Sequence, residues 1–146
     1  MTKQEFEKWF IETFAPDVPQ GQLNRFVFSN EKWTNYLWHL FSWEVLPSSE
    51  YLKGDEAQEA YDRAKKNDAE YFDWFKDDTS KIVTREEKRA ALLDEHIEVY
   101  VFSKNFGWVY MKTHEGNPLG PYFISTKMRH IAKPPQSNTN RKGKRK

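Results

Sequence analysis

Two neighbouring segments of this chain alternate in period two and are apolar on both of their faces. Residues 97–103 read IEVYVFS and residues 108–113 read WVYMKT, with KNFG between them. Successive side chains of a strand point to opposite faces. Tyr100 and Phe102 therefore lie opposite Ile97, Val99 and Val101, while Trp108 and Tyr110 alternate with Val109 and Met111. The short glycine-containing connection makes the pair an antiparallel hairpin. A hairpin with apolar side chains on both faces needs cover on both, or it leaves one face open as a binding patch. Cover by helices is the simpler solution, because the rest of the chain supplies three or four of them.

The first helix opens at Thr2-x-x-Glu5, a capping-box spacing, and Phe6, Trp9, Phe10 and Phe14 then share one face. Pro16 and Pro19 end it. Residues 20–29 are ambiguous; Phe26 and Phe28 alternate as in a short strand. Asn30 can cap a second helix whose apolar face holds Trp33, Tyr36, Leu37, Leu40 and Phe41. Glu44 would enter that face, so the helix is expected to stop near Ser42, with residues 43–46 extended before Pro47. A third helix starts at Gly54-Asp55, with Asp55 and Gln58 at capping-box spacing. Its inner stripe is Ala57, Ala60, Tyr61 and Ala64, its outer pairs are Glu59–Arg63 and Asp62–Lys66, and Asn67 is its expected C-terminal cap. Residues 70–75 and 81–84 read as strands, Thr84-x-x-Glu87 starts a short helix ending near Leu93, and Phe123 lies in a possible last strand. Helices followed by mostly antiparallel strands predict a single α+β domain over residues 1–130, with helices packed on a mostly antiparallel sheet.

Composition supports a folded body. Mean hydropathy is −0.93, which alone suggests disorder, but six Trp, seven Tyr and eleven Phe do not. Each ring buries a large area, so few residues can build the core. All 22 acidic residues and 17 of the 23 basic ones precede Lys133, a net charge of −5 against +6 in residues 133–146. An acidic body does not look built to lie on a phosphate backbone, and it offers no evident basic groove or stacking platform. Residues 131–146 have no apolar periodicity and are expected to be a disordered basic tail. Arg141, Lys142, Lys144, Arg145 and Lys146 could attract nucleic acid there, against the plainer reading of a solubilising extension. No apolar run approaches a membrane span and the first ten residues are too charged for a signal peptide, so a cytoplasmic location without membrane attachment is expected.

Chemistry-bearing motifs are sparse. The chain has no cysteine, and His39, His96, His114 and His130 show no metal-ligand spacing, so no metal site is expected. No phosphate loop or nucleophile motif is present, and no cofactor is expected. The candidate catalytic residues are His39, His114 and Glu115, with Tyr110 or Tyr122 as a donor. His114 and Glu115 are adjacent, so on a regular strand they face opposite ways; the wet end of a hairpin explains them more simply than a base and its orienter. His39 is expected to bond a backbone carbonyl, or else to approach His114 in a paired site. His96 and His130 are surface candidates at element ends. Trp38, Trp108, Tyr110 and Tyr122 are the candidate binding residues, since Trp and Tyr dominate interface hot spots.

Three stretches carry a resemblance. Tyr36-Leu-Trp-His-Leu-Phe-Ser42, the helix start Leu52-Lys-Gly-Asp-Glu-Ala57, and Tyr100-Val-Phe…Phe106-Gly-Trp-Val-Tyr110…Thr113-His-Glu115…Gly120-Pro-Tyr-Phe123 resemble an uncharacterised bacterial family, domain of unknown function 4275. The likeness spans about residues 33–125, leaving out the first helix and the tail. It implies that His39, His114 and Glu115 belong to a shared framework, and it brings no reaction, cofactor or partner. Small proteins of this kind are often antitoxin-like or immunity-like, by analogy alone. The expectation is thus a non-enzymatic module that recognises a protein partner through an acidic, aromatic-containing surface. The rivals are a pocket of His39, His114 and Glu115, and nucleic-acid contact through the tail.

Overall fold

The computed structural model describes residues 1–28, 37–93, 96–115 and 119–128. The expected helix start at Asn30 with Trp33 and Tyr36, the position of His130, and the basic tail lie outside those residues.

Helix α1 spans Lys3–Phe14 and carries its capping box. The Thr2 hydroxyl accepts from the Glu5 N–H at 3.1 Å, and the Glu5 carboxylate accepts from the Thr2 N–H at 2.8 Å. Phe6, Phe10 and Phe14 are fully buried. Helix α2 spans Gln20–Phe26, where Phe26 and Phe28 had suggested a strand. The four-residue spacing of Leu23 and Val27 decides it, since both are buried and the helix puts them on one side. Helix α3, His39–Ser42, stops where Glu44 would have entered its apolar face. The segment after it is not extended. Glu44 takes φ 54°, and the turn returns the Leu46 N–H to the Leu40 carbonyl at 2.8 Å, burying Leu46.

Strand β1 is Leu52–Lys53 and helix α4 is Asp55–Arg63. Gly54 precedes the helix at φ 66°, so Asp55 lies inside the first turn and no capping box forms with Gln58. Ala57 and Tyr61 are fully buried, and Ala60 and Ala64 partly. The helix ends earlier than Asn67, with Ala64 already extended. That places Lys66 at the helix C-terminus. Its ammonium donates to the carbonyls of Tyr61, Asp62 and Ala64 at the end of the helix, and forms no ion pair with the Asp62 carboxylate. Asp62 accepts the Ala90 N–H at 2.7 Å. Glu59 and Arg63 do pair, at 3.9 Å and well exposed.

Strand β2 is Glu70–Asp73, β3 is Lys81–Ile82, β4 is Val99–Ser103, β5 is Trp108–Lys112 and β6 is Tyr122–Ser125. Between β3 and β4 the expected helix is two 3-10 turns, Arg85–Glu87 and Ala90–Leu93. The Glu87 carboxylate does accept from the Thr84 N–H at 2.9 Å. The sheet runs β1-β6-β5-β4-β2-β3 with every pair antiparallel. In the hairpin, Val99 faces Lys112 and Ser103 faces Trp108.

Both faces of the sheet are covered. Tyr100, Phe102, Val109, Met111, Tyr122 and Ile124 pack with Phe72 and Trp74 under α1, α2 and α3. Phe6 is the hub of this layer, with ring centroids 4.9 Å from Phe102 and 5.6 Å from Phe72. Val99, Val101, Trp108, Tyr110 and Phe123 pack on the opposite side with Ala57 and Tyr61 of α4, Val83 and Leu93. The result is a single α+β domain, layered helix, sheet and helix, in which β4 and β5 are buried throughout apart from half-buried Lys112.

Candidate functional site

The histidine-bearing segments meet at the end of the sheet where β4 begins and β5 ends. His39 opens α3, and its Nδ1 lies 2.8 Å from the Phe26 carbonyl. A carbonyl only accepts, so Nδ1 carries the proton and donates. Sequence reasoning expected a histidine on a backbone carbonyl, and this is the arrangement found. Trp38, next to it, is in edge contact with both His39 and His114, at 4.4 and 5.3 Å between centroids. The two imidazoles thus share one wall, while their Nδ1 atoms serve different partners.

The partner of His114 is Glu98. Its Oε1 lies 2.6 Å from His114 Nδ1. The pair is asymmetric: the Glu98 side chain is 0% exposed and that of His114 is 55% exposed. Glu98 stands one residue before β4 and shares the face of Tyr100 and Phe102, which explains its burial. Burial pushes its carboxyl above the usual range, and the hydrogen bond from His114 pulls part of the way back. Its Oε2 is buried with no hydrogen-bond partner among the described residues.

Glu115 turns to a different neighbour, accepting from the Tyr122 hydroxyl at 2.8 Å. Burial and this bond push the Tyr122 hydroxyl up. The two line a cleft of about 240 Å³ with Tyr51, Lys53 and Ser42, whose Oγ is buried and has no partner among the described residues. The structure therefore does not gather His39, His114 and Glu115 around one atom. β5 ends at Lys112, so His114 and Glu115 lie in a turn and not on a regular strand; His114 bonds Glu98 and Glu115 bonds Tyr122.

The candidate binding residues are core. Trp38, Trp108, Tyr110 and Tyr122 are 6%, 3%, 1% and 2% exposed, so none presents its ring to a partner. Tyr110 stacks on Tyr61 at 4.4 Å and Trp108 on Phe123 at 5.8 Å. His96, expected at the surface, is half-buried, its Nδ1 2.9 Å from Asp73 Oδ2. Among the described residues no group of three or more histidines and carboxylates could hold a metal ion, and no helix is long and apolar enough to cross a membrane.

Sequence reasoning missed Glu98 and Trp43. The signal for Glu98 was its parity, a carboxylate in step with Tyr100 and Phe102. Trp43, 62% exposed, could not be told from the core rings before it.

A two-sided α+β sandwich with a buried carboxylate bonded to an exposed imidazole at one end defines the class of this protein. The family model described as Domain of unknown function (DUF4275) matches residues 2–123, and the chain belongs to that family. The match takes in α1, which the sequence resemblance had left out. No curated protein and no solved structure matches the chain.

Proposed function

We propose that this protein is a non-enzymatic binding module that takes a protein partner on the aromatic surface around Trp43. The observation that carries the reading is the exposure of this indole inside a continuous run of rings. Trp43 contacts Phe26 at 6.1 Å and His39 at 6.2 Å, and the run continues through Trp38 to the exposed ring of His114. A lone exposed apolar side chain is ordinary. A tryptophan steadied by neighbours is different, because it loses little freedom when a partner buries it and it brings a large contact area. Glu44 lies exposed beside it on a body of net charge −5, so the complementary face carries Lys or Arg, which also suit the face of an indole.

The test compares the full chain with its Trp43→Ala variant. Affinity capture from native lysate identifies a protein retained by the wild type and lost with the variant, and calorimetric titration of that purified protein gives the affinity. A loss of ten-fold or more, about 1.4 kcal/mol, with the melting temperature unchanged is the expected result. A partner bound equally by both forms removes the reading, as does the absence of any protein that separates them.

A further inference from the structure

At the opposite end of the sheet, the turn between β4 and β5 borders an open groove of about 870 Å³. Sequence reasoning expected no basic groove in this acidic body. The fold makes one by bringing together Arg63 and Lys65 from the end of α4, Lys104 from the turn, and Lys127 from the segment after β6. No carboxylate among the described residues lines it. All four cations are exposed, and only Arg63 has an ion pair among the described residues. The Glu5 carboxyl is held below its usual range first by its bonds to Thr2, and Lys104 is near enough to help.

Aromatic groups lie among these charges. Phe106 is 43% exposed, and Lys65 Nζ stands over its ring at 5.7 Å. Trp108 also lines the groove. Its indole N–H is buried and has no hydrogen-bond partner among the described residues, although buried donors are nearly always paired. A groove of this size, with cations and an accessible ring, matches the chemistry of a phosphate joined to a flat base.

We infer that this groove binds nucleotides, either free or as units of a single strand. The cations take the phosphates and Phe106 stacks on a base. A duplex does not fit this recognition, because its bases are already stacked on each other. The site is separate from the Trp43 surface, so either reading can fail without the other.

The experiment measures fluorescence anisotropy of a short labelled single-stranded RNA with the full chain, and binding of AMP by NMR. The variants are Phe106→Ala and the double reversal Lys104→Glu/Lys127→Glu, all at exposed positions, with circular dichroism melts to confirm folding. Each variant is expected to weaken binding by about ten-fold or more. Wild-type affinity for the strand should fall with salt at a log–log slope of roughly −2 to −3, as three to four phosphate contacts require. AMP binding with the same Phe106 dependence identifies the free nucleotide as the source; binding of the strand alone identifies the polymer. A chain ending at Met128 keeps the Phe106 dependence if the groove is the site. Binding lost with the tail but indifferent to the groove variants overturns the inference. So does equal binding of duplex, or no saturable binding of either probe at low salt.

Discussion

A carboxylate that no water reaches sets a pH dependence that can be read from its surroundings. Glu98 is fully buried and held by one bond to His114. In the unfolded chain it titrates near 4.5, and in the fold its carboxyl is harder to ionise because burial penalises the charge. Across the interval between those two values the folded state holds the extra proton, so stability falls as pH rises through it. Below 4.5 both states are protonated and the penalty vanishes. Urea unfolding of wild type and Glu98→Gln should show the wild type losing ground to the variant as pH rises above 4.5. Parallel curves would mean that His114 compensates the burial completely. This residue also marks a limit of the sequence. Its parity with Tyr100 and Phe102 was visible, but its partner His114 stands sixteen positions away, and only the register of the hairpin joins them.

Elements fixed by local chemistry were legible before the structure. The box at Thr2 and Glu5 starts α1, the alternation of residues 97–113 makes β4 and β5, and Glu44 ends α3. Elements decided by tertiary packing were not. The Phe26–Phe28 alternation yields to a helix that buries Leu23 and Val27, and Lys66 turns from the Asp62 carboxylate to the carbonyls at the end of α4 because that helix stops at Arg63. Gly107, closing the hairpin turn, belongs to the legible set. It sits at φ 67°, and a Cβ there would meet Thr126 Oγ1 at 2.7 Å. Gly107→Ala should cost about 1–2 kcal/mol from the left-handed backbone alone, read as a drop in melting temperature. Adding Thr126→Ala should recover only the steric part. A double variant as stable as the wild type would show that the backbone carries no strain.

At the scale of the molecule, the sheet is the shared floor of two cores. One holds the cluster around Phe6 and the other the Tyr61–Tyr110 stack. Global opening is the only route that exposes strands buried on both sides. Native-state hydrogen exchange should therefore find the amides of β4 and β5 slowest, while α3, four residues long, exchanges early by local opening. Uniform protection across the domain would contradict a two-core description. The ring surface around Trp43 joins residues 38–43 to Phe26 and His114, and the basic groove joins positions 63, 65, 104 and 127. No local pattern announces such a set, which is why net charge alone suggested an acidic protein without one.

The two outermost strands, Leu52–Lys53 and Lys81–Ile82, are only two residues long. A border that short exposes too few unpaired amides and carbonyls to template an incoming strand. Chains rich in aromatic β segments are prone to stack into fibrils. Here the aggregation-prone ladders sit in the middle of the sheet, shielded from recruitment until the whole domain comes apart.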